Sequence, residues 1–284
     1  MISEGMISKA VISKDTANIV PVPQSQLHFD FLVSRDGLPT LGAGACELMR
    51  LLDAKFRKAA VLAGAEEKQF PALIGKRILD ITGYFQSFPH YASAVSGPGR
   101  EGEYFLSPAV CYHCYQFLAE SGLEREMVIT CCGKCFRADP ISNGHLWEFT
   151  MREIVFLGPA SVVREHRQNW MRKAACWARA LGLDAELNPA TDPFFGAQTR
   201  GKKLLQQIKE LKYELTVPGP AGTPMPVASF NLHEELFTEK FNIRLENGLS
   251  LHSACVAFGL ERWYLALTAR HGINRALELV EGLQ

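Results

Sequence analysis

The sequence predicts an α+β fold in which an antiparallel sheet is flanked by helices. Apolar residues recur at helical spacing in some segments and alternate at strand spacing in others. Two strand-like segments separated by a turn-rich stretch predict a long antiparallel hairpin. Strands and helices follow each other without regular βαβ alternation, which favours an antiparallel sheet over a parallel one.

Size and composition are typical of a globular protein with a well-buried core. The chain has 284 residues, of which 47% are hydrophobic and 21% charged. Thirty basic and thirty acidic residues cancel, so no global field favours nucleic acid or an anionic membrane. No apolar run of about 18 residues predicts a membrane span, and we expect no membrane partner.

The beginning of the chain lacks the apolar stretch and cleavage site of a secretory signal. We therefore expect a flexible tail over 1–25 and a single domain over 26–284. Eight cysteines without an export signal favour a reducing compartment, with thiols available as metal ligands, and we expect the cytoplasm.

The first half of the chain contains three predicted helices. Apolar residues at helical spacing, with glycines at both ends, predict an amphipathic helix over 42–65. Segment 70–90 is predicted to begin as a short strand and to continue as a helix that ends before a proline. The Ser107–Pro108 pair is typical of a helix start and predicts a helix over 107–122, with Cys111 in its second turn.

The second half contains the predicted hairpin, with strands over 126–139 and 145–158 joined by a turn. The remaining predicted elements are an amphipathic helix over 161–183, a basic helical stretch over 199–214, strands over 212–218 and 226–237, and a strand, glycine turn and helix over 249–272.

Two C-x-x-C pairs, Cys111 with Cys114 and Cys132 with Cys135, have the spacing of a four-cysteine zinc site. However, the first pair lies in a predicted helix, and strand alternation after the second points Cys135 and Arg137 to one face. The residues alone leave three interpretations open: a structural zinc ribbon, a catalytic site that shares some of these cysteines, and plain buried cysteines.

Three further motifs occur in order on the predicted elements: CFRAD over 135–139, EFTMRE over 148–153 and AFGLER over 257–262. They resemble motifs 2 and 3 of class II aminoacyl-tRNA synthetases. GYFQSFPH over 83–90 is similar to the motif 1 region, which forms the dimer interface in that class. The resemblance implies a class II synthetase-like antiparallel sheet flanked by helices, and a homodimer.

The wording of further segments is similar to a narrower group, the short seryl-tRNA-synthetase-like amino acid:[carrier protein] ligases. The resemblance spans about residues 70–267 and includes SPAVCY, MREIV, DPFFG, LKYEL, SFNLH and CVAFGLER. It implies a zinc ion held by Cys111, Glu153 and Cys255. Three protein ligands leave a fourth position that the amino group of a free amino acid can occupy, which positions its carboxylate near ATP.

The same resemblance implies ATP-dependent activation of the amino acid with Mg²⁺, in which positioned arginines stabilise charge on the phosphates. Arg137 and Arg262 are the implied catalytic residues. The implied ATP-binding residues are Arg137, Asp139, His145, Glu148, Phe149, Lys212 and Arg262. Asp139 departs from the glutamate usual in motif 2, and Thr150 stands where the group has an arginine.

Ser229, Asn231 and His233 alternate along a predicted strand, so one face presents all three. With Ala228 they form the expected pocket for a small amino acid, glycine or alanine. The synthetase-like core uses almost the whole chain, and no strongly basic stripe with interleaved aromatics is present. A tRNA acceptor is therefore not expected, and the resemblance implies transfer to the phosphopantetheine thiol of a carrier protein.

Two alternatives stay open. The chain could be a synthetase paralogue that charges tRNA or another acceptor, or a binding module built on a four-cysteine zinc ribbon.

Overall fold

The computed structural model describes residues 30–97, 99–100, 102–121, 123, 125–138, 140–142, 144–193, 200–245 and 251–283, without the side chains of Arg200, Lys202 and Lys203. The tail predicted over 1–25 and the predicted ATP ligand Asp139 lie outside the described residues.

Helices and strands alternate irregularly along the chain, as the composition of each segment predicts. In order they are β1 (Phe31–Val33), β2 (Pro39–Leu41), α1 (Ala43–Leu62), β3 (Glu66–Lys68), β4 (Leu73–Gly75), α2 (Lys76–Thr82), α3 (Tyr84–Ser87), a short 3₁₀ turn (Pro89–Tyr91), β5 (Ala94–Val95), β6 (Tyr104–Leu106), α4 (Cys111–Ser121), β7 (Met127–Phe136), β8 (Glu148–Gly158), α5 (Ala160–Ala180), β9 (Glu186–Pro189), α6 (Arg200–Ile208), β10 (Lys212–Pro218), β11 (Pro224–Glu234), α7 (Leu236–Lys240), β12 (His252–Gly259), α8 (Leu260–His271) and α9 (Ile273–Gly282).

A seven-stranded sheet in the order β3-β7-β8-β12-β11-β10-β9 organises the described residues. Its pairs are antiparallel except the edge pair of β3 and β7, which is parallel. The predicted hairpin is confirmed: β7 and β8 pair from Met127 opposite Leu157 to Phe136 opposite Glu148. The predicted α+β class with an antiparallel sheet is thus confirmed.

The two faces of this sheet bury different cores. On one face, α1, α5 and α8 pack large rings against the strands, and Phe56 stacks on Phe258 with ring centroids 4.4 Å apart. On the other face, α4 and α7 cover the strands with a second apolar cluster that includes Tyr115, Val155 and Phe237. None of the helices in the described ranges is both long and apolar enough to span a membrane.

Two local predictions differ from the structure. The helix predicted from Ser107 begins instead at Cys111, because Ser107 Oγ donates to the Ala109 carbonyl and the Ser107 carbonyl accepts from Phe136 N–H in β7. The helix predicted within 70–90 is interrupted at Gly83, whose φ of 76° lies in the left-handed region.

Candidate active site

A cavity of about 600 Å³ lies on the face of the sheet that α4 and α7 cover. Most of the residues predicted from the sequence for the metal, ATP and amino acid sites line this cavity. These are Cys111, Arg137, Phe149, Glu153, Lys212, Ala228, Ser229, Asn231, His233, Cys255 and Arg262. The volume is in the range of small-ligand sites.

His145 and Glu148 lie outside this lining. His145 is in the turn before β8, where Nδ1 is 2.9 Å from the Ser142 carbonyl oxygen. Glu148 begins β8 and pairs with Lys134 of β7 across 2.9 Å. The structure therefore does not bring these two predicted ATP ligands to the cavity wall.

Three buried side chains form a metal-binding geometry in the described part of the chain. Cys111 is the first residue of α4, Glu153 lies in the middle of β8, and Cys255 lies on the neighbouring strand β12. Their ligand atoms, two sulfurs and a carboxylate oxygen, lie within 4.8 Å of one another. Antiparallel pairing places Cys255 opposite Val155, so Glu153 and Cys255 point to the same face.

The later start of α4 contributes directly to this cluster. The first N–H groups of a helix have no acceptor within the helix. The N–H of Cys111 donates to the carboxylate of Glu153 instead, which joins the helix terminus to strand β8. The same contact places the carboxyl group of Glu153 at the positive end of the helix dipole, which favours its ionised form.

The three acidic groups of the cluster are buried close together, so the ionised form of each one disfavours the ionised form of the others. Burial raises the pKa of Glu153 to about 8. A hydrogen bond from the thiol of Cys111 to the sulfur of Cys255 raises the pKa of Cys111 and lowers that of Cys255. A divalent cation would let all three groups ionise, and two thiolates with one carboxylate form a donor set suited to Zn²⁺. The residues present therefore fit the expected ion.

The other motif cysteines do not join this cluster. Cys114 and Cys131 lie together with their sulfurs 3.9 Å apart, and Cys135 is buried on the same face of the sheet. Strand alternation turns Cys132 to the opposite face, against the core of α1. Within the described ranges, the two C-x-x-C pairs form no four-sulfur cluster.

Two arginines of the cavity are held by backbone carbonyls. Arg137 Nε donates to the Pro108 carbonyl across 2.8 Å, and its guanidinium lies 5.4 Å from the centroid of the Phe149 ring. Arg262, in the first turn of α8, donates to the carbonyls of Gly144 and Pro226 across 3.0 and 2.9 Å. Both guanidiniums are thus oriented before any ligand binds.

Lys212, at the start of β10, is buried at the cavity wall and forms ion pairs with two half-buried carboxylates. Its Nζ lies 2.7 Å from a carboxylate oxygen of Asp192 and 3.0 Å from one of Glu214. Burial alone would raise the pKa of Asp192, but the charge and hydrogen bond of Lys212, with a further bond from Gln206, lower it overall. Sequence reasoning missed Asp192, although it is the first residue of the DPFFG segment.

The polar face of β11 reaches the cluster of Cys111, Glu153 and Cys255. Asn231 Nδ2 lies 3.4 Å from Cys255 Sγ and 3.3 Å from Ser229 Oγ. His233 Nε2 lies 3.6 Å from Cys255 Sγ, and its Nδ1 is 2.8 Å from the hydroxyl of Tyr115. The sequence analysis missed Tyr115, although its position four residues after Cys111 places both on one helix face.

Glu261 is a second residue that the sequence analysis missed. It is almost fully buried at the cavity wall, and its carboxylate accepts hydrogen bonds from the N–H and the hydroxyl of Thr150 across 2.7 to 2.9 Å. Thr150 therefore ties β8 to the start of α8, next to Arg262.

Comparison with known proteins gives close relatives over most of the chain, although no family model matches it. Amino acid–[acyl-carrier-protein] ligase 1 of Bradyrhizobium diazoefficiens is 33% identical, over 75% of this chain and 73% of the relative. Ligase 2 of the same organism is 32% identical over 78% of this chain and 76% of the relative.

Among solved structures, the complex of M. kandleri SerRS with A. aeolicus tRNASec aligns with a TM-score of 0.73. The identity is 21%, and the alignment covers 87% of this chain and 58% of that chain. This likeness shows the fold: the architecture is that of a class II synthetase catalytic core. Together with the identity to the two Bradyrhizobium ligases, it shows that the chain belongs to the amino acid–[acyl-carrier-protein] ligase family.

Proposed function

We propose that the protein activates a small amino acid, glycine or alanine, with ATP and transfers it to the phosphopantetheine thiol of a carrier protein. The observation that carries the proposal is the opening of the Cys111, Glu153 and Cys255 cluster into the same cavity as Arg137 and Arg262. The proposed amine-binding position and the proposed phosphate-binding groups thus line one cavity.

The cluster would select the free amine. A Zn²⁺ ion bound there would offer an open coordination position to the uncharged amino group of the substrate. Asn231 and His233 border the same position and contact the sulfur of Cys255. The ring of Phe237 lies 4.8 Å from that of His233 and limits the space beside it, which supports a small side chain.

Activation forms a mixed anhydride. A carboxylate oxygen of the amino acid attacks the α-phosphorus of ATP, the bond to the β-phosphate oxygen breaks, and pyrophosphate leaves with Mg²⁺. Arg137 binds the α-phosphate and the substrate carboxylate, and Arg262 binds the far end of the triphosphate. Because backbone carbonyls already orient both guanidiniums, little reorganisation accompanies the build-up of negative charge.

The remaining ATP contacts follow from the cavity wall. Phe149 is placed to stack on the adenine ring, since its own ring already lies beside the Arg137 guanidinium. Lys212, held between Asp192 and Glu214, supplies a buried positive charge to the nucleotide. Asp139, His145 and Glu148 complete the set that we infer for ATP, and the basis for these three is the resemblance to class II synthetases rather than the cavity wall.

Transfer consumes the mixed anhydride. The sulfur of the phosphopantetheine arm attacks the carbonyl carbon, the bond to the phosphate oxygen breaks, and AMP leaves while the thiol proton passes to solvent. Exposed Leu205 and Leu236 lie on the wall of the cavity, where the apolar part of such an arm would enter. The names of the Bradyrhizobium relatives support a carrier protein as the acceptor.

Amino-acid-dependent exchange of labelled pyrophosphate into ATP, measured with each of the twenty amino acids, tests the activation step. We expect exchange with glycine or alanine and little with larger amino acids, although one methyl group changes the selectivity by only about 1–3 kcal/mol. Absence of exchange with every amino acid would refute the proposal.

A second experiment tests the acceptor. Labelled amino acid and ATP are supplied with phosphopantetheinylated carrier protein, with the unmodified carrier, or with tRNA. We expect label only on the phosphopantetheinylated carrier. Label on tRNA would favour a synthetase paralogue instead. We also infer a homodimer, which light scattering tests.

A further inference from the structure

A line of three side chains, of which Tyr115 and Cys255 are buried and His233 is half-buried, leads from α4 to the proposed metal site. The Tyr115 hydroxyl lies 2.8 Å from Nδ1 of His233, and Nε2 of the same ring lies 3.6 Å from the sulfur of Cys255. Tyr115 is fully buried, with no exposed surface, and Cys255 is 2% exposed. The line therefore joins a helix residue with no substrate contact to a proposed zinc ligand.

The packing of Tyr115 fixes the position of its hydroxyl. Its ring lies 4.8 Å from Phe237 and 6.0 Å from Phe241, and Cys111 precedes it by one helical turn. Burial raises the pKa of Tyr115 well above its usual range, so the phenol keeps its proton at neutral pH. The hydroxyl is therefore available as a donor to a ring nitrogen.

A hydrogen bond donated by Tyr115 determines which ring nitrogen of His233 carries the imidazole proton. In a neutral imidazole, one nitrogen carries a proton and the other accepts. If Tyr115 donates to Nδ1, the proton must lie on Nε2, where it faces the sulfur of Cys255. A metal-bound thiolate accepts hydrogen bonds but has no proton to donate, so this tautomer is attractive and the opposite one places a lone pair against the thiolate.

We propose that Tyr115 is a positioning residue, whose hydroxyl holds His233 in the tautomer that donates Nε2–H to the thiolate of Cys255. The inference rests on the proposed metal site and adds a residue that acts on it indirectly. Partners of this kind orient metal ligands and adjust their basicity, and their loss commonly costs about 10–100-fold in metal affinity.

Cobalt(II) binding provides the test, because thiolate-to-cobalt charge-transfer absorption reports directly on the sulfur ligands. Tyr115→Phe keeps the ring and removes only the hydroxyl. We expect its Co²⁺ dissociation constant to rise about tenfold. We also expect the charge-transfer band to move to lower energy, because a thiolate without its hydrogen bond is easier to oxidise.

A double-mutant cycle separates the effect of the Tyr115 hydrogen bond to His233 from an effect of Tyr115 on packing. In a His233→Ala background the donor is already absent, so Tyr115→Phe should produce no further shift. Tyr264→Phe, a buried tyrosine that stacks on Phe31 in the other core, is the matched control and should leave the band unchanged. His233→Ala alone should reproduce the shift, even if the Tyr115 variant is poorly folded.

Each outcome is decisive. A band and affinity unchanged in Tyr115→Phe, or an equal shift on adding Tyr115→Phe to His233→Ala, would overturn the positioning role. If the wild-type protein shows no thiolate band with Co²⁺, the proposed metal site itself fails, and the inference fails with it.

Discussion

Arg137 illustrates how backbone contacts prepare a side chain for a charged ligand. The Nε–H bond to Pro108 and the Phe149 ring together define the plane of the guanidinium. The motif Cys-Phe-Arg was sufficient to select this residue from the sequence. Its anchor was not predictable, because the Pro108 carbonyl reaches it only through the tertiary placement of the segment before α4.

Replacing Arg137 with lysine should retain the positive charge but lose the planar guanidinium that the Pro108 carbonyl anchors. We expect pyrophosphate exchange to fall by about 10²-fold in kcat/KM, since a preorganised donor to the developing charge is lost. Arg275→Lys is the matched control, because Arg275 forms an exposed pair with Glu278 on α9. Exchange near the wild-type rate in Arg137→Lys would contradict the assigned role.

The pair of Lys212 and Asp192 predicts a pH dependence of stability. The ordinary pKa of Asp192, 3.8, is lowered in the folded protein, so its contribution is present above pH 3.8 and is lost as the pH falls through the lowered value. In Lys212→Met, burial dominates and raises that pKa. The contribution of Asp192 is then present below pH 3.8 and is lost as the pH rises.

The difference in unfolding free energy between wild type and Lys212→Met should therefore grow with pH. We expect it to be small near about pH 3 and to reach about 1–3 kcal/mol at about pH 7, between the values for exposed and for buried ion pairs, because Asp192 is half-buried. Urea denaturation at several pH values measures it. In an Asp192→Asn background, the same difference in unfolding free energy should increase much less with pH. A difference that stays constant with pH would show that Lys212 and Asp192 are not coupled.

At the scale of elements, periodicity predicted the long helices and the β7–β8 hairpin, because each buries an apolar face whose repeat is visible in the sequence. The start of α4 was predicted four residues too early. Ser107 and Pro108 have the right chemistry for a cap, but Ser107 is occupied by bonds to Ala109 and β7. Tertiary hydrogen bonds therefore override a local signal, and the displaced helix start brings the Cys111 N–H to Glu153.

The turn that precedes β8 should control ATP binding through Gly144. Its φ is 78°, and a Cβ there would lie 2.5 Å from Met225 Sδ and 3.2 Å from Arg262 Cγ. Gly144→Ala should therefore displace Arg262, whose Nε–H bonds to the Gly144 carbonyl. We expect the KM for ATP in pyrophosphate exchange to rise about tenfold, equivalent to about 1.4 kcal/mol.

Gly222→Ala is the control for this variant. Gly222 has a φ of 76° in the turn between β10 and β11, and a Cβ there would meet nothing within 4 Å. Both alanine variants should lose about 1 kcal/mol of stability from the left-handed backbone. Only Gly144→Ala should alter the KM, and equal kinetic effects would mean that the strain acts through global stability.

At the scale of the molecule, the sheet brings side chains from distant segments of the chain together in one cavity. The class II motifs predicted residues that line one cavity, because motif 2 lies on a hairpin and motif 3 on a strand and helix next to it. The parallel edge strand β3 and the short strands β5 and β6 were not predicted, whereas the short strand predicted at the start of segment 70–90 is present as β4. Segments of two or three residues are stabilised by their neighbours in space and carry no periodicity of their own.

Removing the proposed zinc ion should abolish activity without unfolding the protein. The three proposed ligands lie on α4, β8 and β12, which are already held by the sheet and by apolar clusters on both of its faces. Folding therefore does not depend on the ion, in contrast to small zinc domains that unfold without it. A chelator should eliminate pyrophosphate exchange while far-UV circular dichroism stays native, and added Zn²⁺ should restore the exchange.

Variants of single cysteines distinguish the proposed three-ligand zinc site from a structural four-sulfur site. Cys132→Ala, on the face away from the cavity, and Cys114→Ala, beside Cys131, should retain bound zinc and exchange activity. Cys255→Ala should lose both while remaining folded, because its neighbours on β12 keep their ladder of hydrogen bonds to β8 and β11. A protein that unfolds on chelation, or that loses zinc when Cys114 and Cys132 are replaced, would have a structural four-sulfur site, and the free-amine pocket would have to be abandoned.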